Sequence, residues 1–273
     1  MIYAMSDIHG CLDALKQKME YVDLSLDNRL ILLGDYIDYG TQSEQTLRYI
    51  RTLQKKYGED KLITLKGNHE AMLLEFLDEF KGKAGAVKDA YVLDNWLRMD
   101  SDAGLISFKT LVSQYEFIEF SHIAKNASFL ETCEVAVEMI QKNSGDLISW
   151  IRKMPSYYET ENQIFVHAGV DEEAEEDWKW GTSDETFLWK YPPVTGSFYK
   201  DIIAGHVGTG IPELQNDWDY HGIYHDGESH YYIDGSVYKD GGTLNLLVYN
   251  PEEERYGEID DAGRQRWLFA NRT

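Results

Sequence analysis

As far as Glu70 the chain repeats one unit three times, and that repetition limits the fold more than any other feature. An apolar run, Ile2–Met5, ends in Ser6-Asp7-Ile8-His9-Gly10, and a helix-like pattern follows over residues 11–21. A second run over 29–33 ends in Gly34-Asp35-Tyr36-Ile37-Asp38-Tyr39-Gly40, followed by a helical pattern over Ser43–Tyr57. A third, over 61–65, ends in Lys66-Gly67-Asn68-His69-Glu70 and leads into a helix over 71–80. Short buried strands alternating with helices specify right-handed βαβ units and a parallel sheet. Each polar cluster therefore stands at the carboxyl end of a strand, where open α/β sheets place their ligands.

Beyond this region the pattern changes. Residues 82–154 carry helical periods and isolated glycines, and are expected to form a largely helical insertion over the site. Strand signals return at 164–166, ending in His167-Ala168-Gly169, and at 202–204, ending in Gly205-His206. Runs at 231–233, 244–249 and 255–259 follow at close spacing, which predicts a more antiparallel second half. The expected fold class is α/β, with two sheets face to face and helices outside them. At 273 residues the chain is long enough for one domain over 1–273 that includes the insertion. The acidic run over 171–177 is expected to be a solvated loop, since like charges in a row seldom converge on one ion.

Composition narrows the partners. A hydrophobic content of 43% with 27% charged residues is that of a globular chain. A formal charge of −22 argues against nucleic acid or an anionic membrane as main partner, because both need a basic face. The opening residues have neither the basic nor the apolar segment of a signal peptide, and no apolar run reaches membrane-spanning length. Cys11 and Cys133 form no metal-like spacing and no disulfide framework, so a reduced, cytoplasmic protein is expected.

The strand-end clusters carry the chemistry. Ions that activate water need carboxylate and imidazole ligands held rigidly, with positions left open for water and substrate. Asp7, His9, Asp35, Asn68, His167 and His206 supply such a set from five strand ends. If the backbone of Asp7-Ile8-His9 is still extended, both side chains point the same way and reach one ion. Asp35, central in the set, could bridge two ions about 3.5–4 Å apart. Asn68 offers a neutral carbonyl oxygen. Two divalent ions outweigh two carboxylates and a bridging hydroxide, leaving a positive centre that would draw phosphate into an acidic protein. That metal-bound hydroxide would be the nucleophile. His69, one residue on, is placed to protonate a leaving oxygen, with Asp38 to orient its imidazole and keep it protonated. Taken singly, each cluster reads equally well as a helix cap or a turn. Five of them, all ending apolar strands, do not.

Asp7-Ile8-His9-Gly10, Gly34-Asp35-Tyr36-Ile37-Asp38-Tyr39-Gly40 and Gly67-Asn68-His69-Glu70 resemble the DxHG, GDxxDRG and GNHE signatures of calcineurin-like metallophosphoesterases. With His167-Ala168-Gly169, Gly205-His206 and the late Ile233-Asp234-Gly235-Ser236-Val237, the pattern is similar to the bacterial branch of the phosphoprotein phosphatase family. That branch includes diadenosine tetraphosphate hydrolases. The resemblance covers roughly residues 1–80 and 160–250. It implies a central β-sandwich flanked by helices and two divalent ions (Mn, Fe or Zn). One ion would take Asp7, His9 and Asp35, and the other Asp35, Asn68, His167 and His206. It also implies substrate contacts at Asn68, Tyr39, Lys66 and Lys190. At the last three this chain departs from the family, which commonly has arginine there. Arginine grips phosphate bidentately; lysine does so only as a point charge, and tyrosine carries no charge.

These readings lead to an expected metal-dependent phosphomonoester hydrolase, a Ser/Thr protein phosphatase first, acting on a phosphorylated protein or a small phosphoester. The alternative keeps the chemistry and changes the substrate to a dinucleoside polyphosphate. A third possibility, favoured by the missing arginines and opposed by the complete ligand set, is a non-catalytic binding module on the same fold. Oligomeric state is not encoded in any feature above.

Overall fold

The computed structural model describes residues 1–81, 96–98 and 102–268. The opening units form as expected: β1 (Ile2–Met5), α1 (Leu12–Met19), β2 (Arg29–Leu32), α2 (Ser43–Tyr57), β3 (Leu62–Thr64) and α3 (Asn68–Glu79). β1, β2 and β3 pair in parallel, with Ile2 opposite Arg29 and Leu30 opposite Leu62. α3 starts three residues before the expected position, so Asn68 and His69 stand in its first turn.

Among the described residues, a 3-10 turn at Trp96–Arg98 and three α-helices follow: α4 (Ala103–Leu111), α5 (Gln114–Ile123) and α6 (Phe129–Ile151). Residues 82–95 and 99–101 of the expected insertion lie outside the described residues. Two Ser-x-x-Glu capping boxes start α5 and α6. Ser113 and Ser128 accept the N–H groups of Glu116 and Glu131, whose carboxylates accept the serine N–H in return. Cys133, Ala136 and Ile140 of α6 bury into the same apolar cluster as Leu30, Leu32, Leu47 and Leu73, so the insertion helices pack on the first sheet's outer face.

The second half holds β4 (Tyr157–Glu159), β5 (Gln163–Val166), α7 (Trp178–Gly181), α8 (Asp184–Trp189), β6 (Asp201–Gly208), β7 (Tyr224–His225), β8 (His230–Asp234), β9 (Leu247–Asn250), β10 (Arg255–Ile259) and β11 (Gln265–Trp267). One sheet has the order β11-β10-β9-β1-β2-β3 and the other β4-β5-β6-β8-β7. The expected antiparallel second half holds for β9, β10 and β11 and for the edges β4 and β7. It fails at the centre of the second sheet, where β5, β6 and β8 are parallel. Parallel neighbours need long return connections, and the segments 167–200 and 209–229 provide them.

The sheets pack face to face. Ala4, Ile31, Leu33, Ile63 and Leu65 of the first meet Phe165, Ile203, Tyr231 and Ile233 of the second in one cluster. Alternate residues Leu30 and Leu32 point instead to the helices. Burial on both faces explains why these strands read as unbroken apolar runs. Trp178 and Phe187 cover the second sheet's outer face. Among the described residues no helix is long and apolar enough to cross a membrane.

Candidate metal centre

The polar clusters converge where the carboxyl ends of β1, β2, β3, β5 and the distal part of β6 meet. The backbone is not extended there. Asp7, His9, Asp35, Asp38, Tyr39 and His206 all have left-handed conformations, with φ from 45° to 74°. The expected extended Asp7-Ile8-His9 is therefore corrected: a tight turn brings the two side chains together. His206 takes its left-handed conformation inside β6, where the ladder to β8 breaks register between Ala204 and Gly208. Such backbone persists only where surrounding contacts over-determine it.

Those contacts can be named. The N–H groups of Asp7, His9 and Gly10 donate to the carbonyls of Gly34, Asp35 and Tyr36 at 3.1, 2.9 and 2.8 Å, tying the first loop to the second. The fully buried Glu70 carboxylate accepts from Asp35 N and Tyr36 N, each at 2.8 Å, and from Gly67 N at 3.0 Å. One side chain thus clamps the second loop to the third. Gly67 is required for space, since a Cβ there would lie 2.1 Å from Asp35 Oδ1. At Gly205 it would lie 2.2 Å from Asp7 Oδ2.

Asp35 Oδ2 is the centre of the cluster. It lies 3.7 Å from His9 Nε2, 3.8 Å from His69 Nε2 and 3.5 Å from His167 Nε2. Asn68 Oδ1 lies 2.7 Å from His167 Nε2 and 3.2 Å from His206 Nδ1. Asp7 Oδ1 is 3.9 Å from His9 Nε2, while its Oδ2 accepts His206 N–H at 3.0 Å. Among the described residues, two groups have ligand atoms close enough to hold an ion: His9, Asp35 and His69, and Asp35, His167 and His206.

The hydrogen bonds fix two tautomers. His9 Nδ1 lies 2.8 Å from Ile37 O and His167 Nδ1 lies 3.0 Å from Leu33 O. A carbonyl only accepts, so each Nδ1 carries the hydrogen, and each neutral ring turns its Nε2 lone pair inward. Metal-ligating histidines are commonly braced in this way. The inward lone pairs face oxygen lone pairs, His167 Nε2 against both Asn68 Oδ1 and Asp35 Oδ2. Turning the Asn68 amide over would satisfy only the first of these contacts. A cation between them satisfies both.

Electrostatics argue the same way. Burial, then Asp234, pushes the Asp7 carboxyl well above its usual range; burial, then Asp7 and Glu70, does the same to Asp35. Burial, then neighbouring histidines, holds His9 and His167 well below the ordinary imidazole value, and His206 down to about 4. Protein groups alone leave these carboxylates without a counter-charge. The donors, two carboxylates, an amide oxygen and neutral imidazoles, fit divalent Mn, Fe or Zn.

His69 is held differently. Its Nδ1 lies 2.8 Å from Asp38 Oδ2, and Asp38 also accepts from Trp96 Nε1 at 3.0 and 3.1 Å. Asp38 N donates to Ser107 Oγ at 2.7 Å. Trp96 and Ser107 belong to the insertion, which therefore braces the Asp38–His69 pair. Geometry admits His69 Nε2 as an ion ligand as well, and metal content of a His69 variant separates the two roles.

The three departures have different places. Tyr39 stacks on Tyr238, with ring centres 4.2 Å apart. Lys66 is half-buried, and its N–H donates to Pro155 O at 3.0 Å. Lys190, expected as a substrate contact, has its ammonium engaged within the protein. Its ammonium donates to Val170 O and pairs with Glu172 Oε1 at 3.1 Å, and its stem packs against Gly169. Glu172 in turn pairs with buried His230, which also meets Asp226 at 3.0 Å. Sequence reasoning missed Trp96, Ser107 and Tyr238, which lie outside any spaced motif, and Asp234, part of the late motif over 233–237, had no role assigned. Glu70 was in view as part of a motif, but its hydrogen bonds to the second loop follow only from the tertiary arrangement.

A family model described as calcineurin-like phosphoesterase matches residues 1–230. A symmetrical bis(5'-nucleosyl)-tetraphosphatase of Pseudomonas syringae pv. syringae is 38% identical over 173 residues, 62% of this chain and 42% of that protein. Serine/threonine-protein phosphatase 2 of Salmonella typhimurium is 31% identical over 112 residues, 40% of this chain and 48% of that one. Each match thus spans less than half of the relative. A solved structure of a cold-active protein tyrosine phosphatase superposes with a TM-score of 0.59 over 99% of this chain and 79% of its own, at 16% identity, a likeness of fold.

Proposed function

We propose, for a chain that belongs to the calcineurin-like phosphoesterase family, hydrolysis of phosphomonoesters at a two-ion centre. Asp7, His9 and Asp35 would hold one ion and Asp35, Asn68, His167 and His206 the other. The observation that carries this reading is Asp35 Oδ2 facing three imidazole Nε2 atoms, two of them lone pairs by tautomer. When bound, divalent ions supply Lewis acidity toward phosphoryl oxygens and acidify water.

The chain's own residues do the rest. Glu70 and the left-handed turns hold the ligands in place before substrate arrives, so no reorganisation is needed during reaction. His69, oriented through Nδ1 by Asp38, presents Nε2 to the site and gives a proton to the leaving oxygen. Asn68 and Lys66 would meet phosphoryl oxygens. The reading covers phosphoproteins and small monoesters alike.

A second reading, a dinucleoside polyphosphate hydrolase, is favoured by the 38% identity to a protein named for that activity. Product analysis in manganese separates them. Orthophosphate from phosphopeptides or p-nitrophenyl phosphate is expected. Nucleoside diphosphate from a symmetrical dinucleotide, with no orthophosphate from any monoester, would overturn the first reading.

A further inference from the structure

We propose that Tyr39, backed by Tyr238, is a specificity-determining residue whose ring favours planar aromatic leaving groups, that is, phosphate monoesters of phenols. The inference rests on the phosphomonoesterase reading above and names its substrate class.

Position is the first argument. The Tyr39 ring centre is 5.4 Å from that of His69 and 4.9 Å from that of His9, edge-on to the latter at 82°. The tyrosine therefore stands beside the imidazole that protonates the leaving oxygen. Tyr238 lies parallel to it, at 10° and 4.2 Å, and is itself edge-on to His9 at 5.0 Å. The exposed Lys239 ammonium lies 5.4 Å from the Tyr238 ring, and His9 stands beside the stack, nearly equidistant from both rings.

The wall is built to stay in place. Tyr39 has left-handed backbone in a loop whose Gly40 N–H donates to His9 O at 2.9 Å. The Tyr238 loop is fixed by Ser236 N donating to Asp234 Oδ1 at 2.7 Å and by Lys239 N donating to Ser236 O at 2.9 Å. Burial, then Tyr39 and the carboxylates of Asp234, Asp7 and Asp35, pushes the Tyr238 hydroxyl well above its ordinary value.

Chemistry completes the case. An arginine at position 39 would grip phosphoryl oxygens whatever alcohol they esterify. A tyrosine offers those oxygens one hydroxyl hydrogen bond and no charge, but its ring meets a second ring by offset stacking or edge-to-face contact. Discrimination is thereby moved from the phosphoryl group to the group that leaves it.

The test uses the manganese-loaded full chain and peptides of one sequence carrying phosphotyrosine or phosphoserine. Tyr39→Leu should lower kcat/KM for phosphotyrosine roughly three- to tenfold more than for phosphoserine, the range of an aromatic contact. Tyr39→Phe should keep the wild-type ratio within about twofold, since the ring is retained. Calorimetry gives a readout without turnover: Tyr39→Leu should weaken phenylphosphonate by a similar factor more than methylphosphonate. Tyr238→Leu, which removes the backing ring, should shift both ratios in the same sense and serves if Tyr39→Leu does not fold. Unchanged ratios in the leucine variants would overturn the proposal. So would an equal loss on both peptides in Tyr39→Phe, which would make the hydroxyl a phosphoryl contact. Wild-type protein that hydrolyses neither peptide nor any other monoester would instead overturn the phosphomonoesterase reading beneath it.

Discussion

The ligand cluster and its rim are built on opposite principles. In the cluster four of the six ligands are braced: His9 and His167 by backbone carbonyls, Asp7 by His206 N–H, Asp35 by His69 N–H at 3.0 Å. Asp35 is 2% exposed and His167 fully buried. At the rim, Trp189 is 41% exposed and edge-on to His206, and Tyr39 and Lys66 are half-buried, Tyr39 stacked on Tyr238. The difference separates two requirements. The chemistry demands atoms placed within tenths of an ångström; recognition tolerates a softer surface that can change without disturbing the reaction.

That contrast can be broken at its strongest point first. Asp35→Asn should release at least one ion and reduce turnover to background, read by elemental analysis and p-nitrophenyl phosphate hydrolysis; a variant that retains both ions would rule out the bridge. His69→Asn comes next, with a loss of roughly 10²–10⁴ in kcat and metal retained. Metal loss there would make His69 a ligand. Glu70→Gln, one step outside the ligands, should weaken metal affinity by roughly 10–100-fold, measured by competition with a chelator; unchanged affinity would show that the clamp on Asp35, Tyr36 and Gly67 is dispensable.

The smallest effect lies behind the rim, in the network that engages Lys190. Burial opposes charge on His230, but its hydrogen bonds and charge contacts with Glu172 and Asp226 outweigh burial and raise its pKa above the ordinary 6.5. A raised folded pKa contributes stability that is complete below about 6.5 and is lost as pH rises through the higher folded value. Wild-type melting temperature should therefore carry a downward component between about pH 6 and pH 8. His230→Gln should remove that component. Identical pH profiles for the two proteins would contradict the assignment.

Local order made much of this legible. The three βαβ units follow from apolar runs and helical periods, and the ligands from polar residues at the run ends. Tertiary effects hid the rest. Nothing local announces that His206 leaves the strand conformation inside β6 or that β5, β6 and β8 run parallel, because long connections rather than turns decide it. Lys190 read as a phosphate contact since its sequence neighbours suggested one, yet Glu172 and Val170 O already engage its ammonium. Trp96 and Tyr238 meet the site from remote segments, and only the fold brings them there.

The direct measurement is the metal content of the purified full chain. Two divalent ions per chain are expected, with one lost first on titration with chelator because the two groups share only Asp35. Less than about one ion per chain after incubation with manganese, iron or zinc, with no hydrolysis of p-nitrophenyl phosphate, would contradict the two-ion centre.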